Sequence, residues 1–572
     1  MNRDSKRPVL EYGIALDLVM VVSGIAFLFS PAPILLLAMY LVAVAGGAWF
    51  GGVRGGATAA AFSLLGLALM FSDNLDILHY AGFISASAVI SAGVPFTRLR
   101  LARRFSIAAE PLPRVEEPQP DVALPAVEAE ELEPSRLRLQ DLAVPLLVVL
   151  IYWNVSDILS RNFPVPSVLQ PAIVLFSAIV WKNRKRYRPA GVVFQPLAML
   201  LFLYCIVQFV SSTWARELAF ADKKIFDTIK NLFIFLLVGT MATSWATLRR
   251  GLMTIVIAAG IISSISVVQI ATGKFPSGFG GLASLDFGNI YGERSDARAS
   301  GPVGDPNFYG QILDMVVPVA LFLAYSETRK SRRLLWLALA AAVAGGILVT
   351  YSRGAMLALA AMGGLIVLAL RLPIFRVAAV VVAMLAVLIV LPSDISRRFA
   401  TIQALMPSDE VAVHRDSSIE RRKLMLGTVF QMFNHNLVLG VGIGNYSPNF
   451  LTYANEVGMV SRDYDPLGQF EWPHMLYFEI GAETGLVGLT TFLAAIAAAF
   501  AALWRSTKLL KARGDHMHAA LSIGLGIALT SYLITSLFLH SGYQRYLYLL
   551  LAFIAALTRL AHEPAAVSEV AI

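Results

Sequence analysis

Apolar residues gather in runs of about 17–25 positions between short polar turns, the length a helix needs to cross about 30 Å of hydrocarbon. The pattern predicts about sixteen membrane helices, four in a first group and twelve in a second. The first group falls near 14–30, 33–50, 57–71 and 78–96. The second falls near 142–159, 167–181, 192–212, 226–245, 251–271, 307–325, 334–351, 355–370, 375–391, 474–504, 519–540 and 543–560. The predicted fold class is therefore an all-α polytopic membrane protein. No small-residue cleavage site follows the first run, so it reads as a retained helix and not a signal peptide.

Two long polar stretches interrupt the pattern. Residues 98–140 combine Pro111, Pro113, Pro118, Pro120, Pro125 and Pro134 with Glu110, Glu116, Glu117, Asp121, Glu128, Glu130, Glu131 and Glu133. Such a composition cannot bury a core and predicts a flexible acidic linker. It separates a membrane module at 1–97 from a larger core at 141–560, with a short tail at 561–572. The second stretch, 392–473, carries aromatic residues and a helix start, and is expected to be folded.

Charge fixes an orientation for this parse. Only 15% of the residues are charged and 57% are hydrophobic, with a net charge of +8. The cations sit in alternate turns: Arg3/Lys6/Arg7, Arg54, Arg98–Arg104, Lys182–Arg188, Arg249/Arg250, Arg329–Arg333, Arg371/Arg376, Arg505–Arg513 and Arg559. The positive-inside rule makes these turns and both termini cytoplasmic. The basic balance is then explained by orientation and gives no reason to expect a nucleic-acid partner. Arg216, Lys223 and Lys224 fall on the outer side as exceptions. Cys205 stands alone inside an apolar run, which excludes a disulfide framework or a multi-cysteine metal site.

Three outer segments are rich in arginine. In the first, Arg294 and Arg298 precede Asp305-Pro306-Asn307, where Asp305 is a plausible N-cap and Pro306 a plausible first helical residue. A helix N-terminus flanked by guanidinium groups suits an anion with several oxygens, such as a pyrophosphate; arginines lodged at lipid headgroups are the plainer alternative. The second is the turn Ser352-Arg353-Gly354, where the arginine alone would simply reach headgroup phosphates. The third is the long outer loop: Ser417 and Glu420 form a capping box, and Ile419, Leu426, Phe430 and Phe433 recur at helical spacing. That predicts an amphipathic helix able to lie along the membrane, with Arg421, Arg422 and Lys423 near its start. Cations there oppose the helix dipole by about 0.3–1 kcal/mol, which a bound anion would offset.

At the end of the loop, His474 stands at the mouth of a span, and Glu479 and Glu483 share one face of it. Imidazole at such a place suits proton transfer from a sugar hydroxyl, while a helix-capping histidine with glutamates paired to neighbouring arginines is the structural alternative. Gly440, Gly442 and Gly444 lack the βαβ context of a nucleotide loop, and Asp463 and Asp465 that of a metal-binding pair. His414 and His435 read as loop structure, and Asp314 inside a span stays unassigned.

Taken together, these segments resemble the bacterial O-antigen ligase and O-antigen polymerase superfamily. Arg298-Ala-Ser-Gly301 with Asp305-Pro-Asn307 resembles its Arg-x-x-Gly…Pro-Asn segment, and Ser352-Arg353-Gly354 its Ser-Arg-Gly turn. Arg422-x3-Leu426 is similar to the family's large-loop motif, and His474-x10-Gly485 to its His-x10-Gly motif. The resemblance runs from about 141 to 560 and implies a GT-C-like, metal-independent glycosyltransferase of the inner membrane. It implies an undecaprenyl-diphosphate-linked glycan donor, a glycan or lipid A-core-like acceptor, no cofactor, and a periplasmic active site in surface polysaccharide polymerisation or ligation. Membrane lipids and other membrane proteins of polysaccharide assembly follow as partners. The implied catalytic residues are His474, Arg298, Arg353 and Arg422; the implied substrate-binding residues are Arg294, Asn307, Arg421 and Glu479. The first four helices, with Gly51-Gly-Val-Arg-Gly-Gly-Ala57, are extra to that family and faintly resemble the membrane module of some sensor kinases. The competing class is a transporter or flippase, which the number of spans and the carboxylates within them permit.

Overall fold

A computed structural model describes residues 142–162, 167–273, 278–287, 289–290, 293–294, 297–370, 417–457 and 472–563. The predicted module and linker before residue 141, the span at 375–391, residues 392–416 and 458–471, and the tail from 564 lie outside the described residues. Apart from Leu142, the described residues belong to one unit, Ala143–Glu563.

The longer elements are α1 (Ala143–Tyr152), α2 (Val155–Asn162), α3 (Leu169–Lys182), α4 (Pro196–Ser212), α5 (Leu218–Met241), α6 (Trp245–Thr272), α7 (Pro306–Asp314), α8 (Val316–Tyr325), α9 (Lys330–Leu348) and α10 (Arg353–Leu370). They continue as α11 (Ser417–His435), α12 (Tyr446–Val457), α13 (Leu476–Ala512), α14 (His516–Thr535) and α15 (Arg545–His562). Two small antiparallel pairs lie between α6 and α7: β1 (Ser284–Asp286) with β4 (Arg298–Gly301), and β2 (Asn289–Ile290) with β3 (Glu293–Arg294). Seven helices among the described residues are long and apolar enough to cross a membrane, or eight if the pair bent by 71° before Ser212 is one span. The chain is a multi-pass, all-α membrane protein.

The helix α15 lies at the centre. Leu551, Ala552, Phe553, Ile554, Ala555, Ala556 and Leu557 are all fully buried, as expected of a helix apolar on every side. It packs chiefly on α5 and α13, and α13 packs in turn on α4 and α14. The residues Gln311, Tyr532 and Ser536 join α7 to the end of α14 through the Gln311 amide, 3.1 Å from Ser536 Oγ.

Several predicted boundaries are corrected. The run at 142–159 is two helices, because Asn154 adopts φ +50° and turns its side chain into the protein. Its Nδ2 donates to Pro302 O at 3.0 Å and its Oδ1 accepts from Arg545 Nη1 at 2.8 Å. The predicted span at 519–540 ends at Thr535, which frees 536–544 as a loop. Arg249, Arg250, Arg505, Lys508 and Lys511 lie on helices and not in turns, since α6 and α13 extend beyond their apolar stretches. Arg559 is buried inside α15, where it donates to Ala242 O at 2.6 Å and Thr240 O at 3.3 Å. It satisfies carbonyls at the C-terminus of α5, a favourable place for a cation.

Candidate functional site

The expected cap at the start of α7 is present. Asp305 Oδ1 accepts from the backbone of Asn307 at 2.7 Å and of Phe308 at 3.1 Å, with Pro306 at the first helical position. Arg298 begins β4, and its guanidinium reaches this helix start: Nη2 donates to Asn307 Oδ1 at 3.2 Å and Nε to Thr350 O at 3.0 Å. The backbone repeats the second connection, with Ala299 N donating to Val349 O at 3.0 Å. The Arg298 strand is thereby stitched to the turn that leads into Ser352-Arg353-Gly354.

That turn opens α10. Ser352 Oγ accepts from Ala355 N at 3.5 Å, and Arg353, half-buried, is the first helical residue. Near their starts the two helices pack closely: a Cβ added at Gly310 would stand 2.6 Å from Ala355 Cβ. Two positive helix ends and two arginines thus share one end of the bundle, an arrangement each dipole opposes unless negative charge lies nearby.

The loop 536–544 joins these arginines to His474. A Cβ at Gly354 would stand 3.0 Å from Phe538, so the Arg353 turn packs on this loop. The His540 ring meets Phe308 edge-on at 4.9 Å, stacks on Trp472 at 5.1 Å and stands 6.0 Å from the His474 ring. Tyr543 OH donates to Val303 O at 2.7 Å. Burial and the Lys224 cation push the imidazole of His540 down to about 4, against the opposite pull of Glu479. His474 itself has φ +46°, an uncommon conformation for a residue with a side chain.

Beneath His474, Glu479 is almost fully buried and held from two sides. Its Oε1 accepts from Lys224 Nζ at 2.8 Å and Ser541 Oγ at 2.7 Å, and its Oε2 accepts from Ser541 N at 2.6 Å. Lys224 Nζ also contacts Ser541 Oγ and lies 5.9 Å from the Trp472 ring centroid. The partner of this carboxylate is therefore a lysine of α5 and not an arginine. Glu483 Oε1 accepts from Tyr446 N at 3.3 Å. Asp314 is fully buried, with neither oxygen hydrogen-bonded among the described residues.

The helix α13 is broken at Gly485, where φ is +63° and ψ −165°. Residues 437–442 cross the break and use the backbone groups it frees. Val441 N donates to Ala482 O at 2.8 Å and Gly442 N to Glu483 O at 3.0 Å; Leu486 N donates to Leu437 O at 2.8 Å and Val487 N to Val438 O at 3.3 Å. Gly440 lies so close that an added Cβ would stand 2.3 Å from Glu483 C. The glycines after α11 thus serve a close crossing of two backbones. In α11 the buried stripe is Leu424, Met425, Val429 and Met432, whereas Leu426 and Phe430 of the expected stripe face outward.

Arg298, Asn307, the Arg353 turn, His474 and Glu479 therefore belong to segments that meet at one end of the bundle. Arg421 and Arg422 lie in the first part of α11 and Arg294 on β3, their side chains outside the described residues. His414, Asp463 and Asp465 are outside them as well, while His435 Nδ1 lies 3.5 Å from Glu456 on an exposed face. Sequence reasoning missed Lys224, His540 and Ser541. Lys224 had signalled itself as a cation on the wrong side of the charge pattern. His540 was hidden at the edge of an apolar run.

No curated protein matches the chain. Residues 337–493 match the family model described as O-antigen ligase, a stretch that includes the Ser352-Arg353-Gly354 turn, α11 and His474 through Gly485. The match supports glycan transfer in polysaccharide assembly, by an enzyme of ligase or polymerase type using a lipid-linked glycan donor and an acceptor. Over residues 337–493, which hold the Ser352-Arg353-Gly354 turn and the His474-to-Gly485 motif, the match supports a likeness to the O-antigen ligase and polymerase superfamily.

Proposed function

We propose that the protein transfers a glycan from an undecaprenyl-diphosphate-linked donor to an acceptor hydroxyl at the periplasmic face of the inner membrane, without a metal, as a polymerase or ligase of surface polysaccharide. The observation that carries this reading is the pairing of arginines with positive helix ends: Arg298 bonded to Asn307 in the first turn of α7, and Arg353 opening α10 beside it. A diphosphate would add its negative charge to that of the Asp305 cap, facing two guanidinium groups and two positive helix ends.

The chemistry follows from the leaving group. The acceptor oxygen attacks the anomeric carbon, the bond from that carbon to the diphosphate oxygen breaks, and its electron pair leaves with the diphosphate. In this reading Arg298, Arg353 and Arg422 hold and neutralise that charge, and Arg294, Arg421 and Asn307 contribute to donor binding; a planar fork matches phosphate oxygens better than a point charge does. His474 receives the hydroxyl proton. Direct attack inverts the anomeric configuration. Glu479 acts from below through its partners.

The test is transfer by the purified full chain with an undecaprenyl-diphosphate glycan. Arg298→Ala, Arg353→Ala, Arg422→Ala and His474→Ala are expected to lower turnover by about 10²–10³-fold or more, with normal membrane insertion. Arg→Lys at these positions is expected to restore only part. Full activity in the alanine variants overturns the assignment, and a product that keeps the donor's anomeric configuration overturns direct inversion. In cells lacking the protein, accumulation of a single lipid-linked repeat marks a polymerase, and long unattached chains mark a ligase.

A further inference from the structure

We infer that Lys224 is a positioning residue: through Glu479 and Ser541 it clamps the loop 536–544, and so fixes His540 and Trp472 beside His474. The inference rests on the transferase reading for its kinetic arm only.

The clamp draws on three separate parts of the chain. Lys224 comes from the first turns of α5, Glu479 from the first turn of α13, and Ser541 from the loop between α14 and α15. Each Glu479 oxygen is occupied: Oε1 by Lys224 at 2.8 Å and Ser541 Oγ at 2.7 Å, Oε2 by Ser541 N at 2.6 Å. A carboxylate this deeply buried is costly unless paired and fully hydrogen-bonded. The bond from Ser541 N makes the pairing specific, because only one loop conformation offers a backbone N–H and a hydroxyl to the same carboxylate.

Ser541 is the neighbour of His540, so the clamp acts within one residue of the imidazole. The His540 ring is sandwiched between Trp472 and Phe308, and its Nδ1 is buried without a hydrogen-bond partner among the described residues. Packing alone therefore holds the ring, and packing follows the loop. Trp472 answers to the same lysine from the other side, with Nζ at 5.9 Å from its centroid. Trp472 is two residues before His474, whose left-handed backbone must be held by its surroundings. One ammonium group thus reaches both segments that carry the histidines. Among the described residues its hydrogen bonds and its ion pair go to Glu479 and Ser541.

Two measurements on the full chain in lipid nanodiscs test this. The first is the rate at which diethyl pyrocarbonate modifies His540, read by mass spectrometry, in the wild type, Lys224→Met and Lys224→Arg. Lys224→Met is expected to raise that rate several-fold, and Lys224→Arg to leave it near the wild type because the ion pair re-forms. The second is transfer kinetics, normalised to folded protein: Lys224→Met is expected to lower kcat by about 10²-fold, the cost of small misplacement of reacting groups, with KM for the donor little changed and with Lys224→Arg largely restoring it. Unchanged His540 labelling in folded Lys224→Met overturns the clamp. So does a loss of kcat that disappears once the folded fraction is counted, or one that falls on KM. If no variant, wild type included, transfers glycan, the functional reading fails while the labelling still decides the clamp.

Discussion

Replacing Gly485 with alanine tests how α13 is built. The backbone at this position, φ +63° and ψ −165°, lies in a region that essentially only glycine occupies. An added Cβ would stand 2.2 Å from both C and O of Val438 and 2.4 Å from Leu439 N. These are backbone atoms and cannot swing aside as a side-chain tip can. Adopting the conformation costs about 1–3 kcal/mol. Relieving the contact means moving residues 437–442 away, which puts four crossing hydrogen bonds at risk, each worth about 0.5–1.5 kcal/mol net. The expected loss is about 3–9 kcal/mol, the upper part of it comparable with the whole stability of a domain. Gly363, inside α10, is the control. Nothing lies within 4 Å of a Cβ built there, and its φ is unremarkable, so Gly363→Ala is expected to be neutral or to stabilise by up to about 1 kcal/mol. Thermal unfolding of both variants in detergent, together with protease cleavage across 436–444, measures the difference. If Gly485→Ala melts with the wild type and keeps that segment protected, the crossing does not hold the helix break and the reasoning is refuted.

Asp305→Ala removes the acceptor for two backbone N–H groups at the start of α7 and is expected to cost about 0.5–2 kcal/mol, with Asp305→Asn costing less; denaturation midpoints check it. A folded Asp305→Ala that is as stable as the wild type would show that the cap contributes nothing. His540 gives a pH dependence. Its folded value of about 4 lies below the ordinary 6.5, so between these the unfolded chain binds a proton that the folded chain refuses. Stability is expected to be full above about pH 6.5 and to fall as the pH drops toward 4, less steeply in His540→Phe. Identical pH slopes in the two proteins would remove His540 as the cause; Glu479, Lys224 and His474 are the other titratable groups beside it. Arg298→Lys keeps a charge but loses the fork between Asn307 and Thr350, so it is expected to recover only part of the turnover lost in Arg298→Ala.

The all-α, multi-pass character was legible because hydrocarbon thickness imposes one length on every crossing, and seven helices of that kind stand among the described residues. The capped start of α7 was legible too, since Asp-Pro-Asn combines a cap acceptor with a residue preset for the first turn. Other features were hidden because tertiary contacts decide them. Asn154 breaks a helix inside an apolar run, and only Pro302 and Arg545, distant in sequence, explain its backbone. The stripe of Leu426 and Phe430 has the right period, yet Leu424, Met425, Val429 and Met432 form a second apolar stripe that faces the protein. Periodicity shows that a helix has an apolar face; with two such faces it cannot say which one packs. The clamp was invisible for a simpler reason. Lys224 lies 255 residues before Glu479, and Ser541 lies 62 residues after it, and a lysine and a glutamate in different helices announce no partner.

The break in α13 also bears on the choice between transferase and transporter. Discontinuous membrane helices are where transporters bind ions and substrates, because the break leaves carbonyl and N–H groups free to face a cavity. In this protein the break frees the same kinds of group, but the crossing segment takes them up: the carbonyls of Ala482 and Glu483 accept from Val441 and Gly442, and the N–H groups of Leu486 and Val487 donate to Leu437 and Val438. Backbone that has left its helix within a membrane must find partners, and protein supplies them. The break is then a device for shape. It lets α13 begin with a short segment, 476–484, whose direction is set by the loop and not by the long apolar segment that follows. Glu479 lies on that short segment, and His474 immediately precedes it. Such a joint suits an enzyme that must hold an imidazole beside arginines carried by other segments, Arg298 on β4 and Arg353 on α10. A solute pathway would need the freed groups for its own ligand.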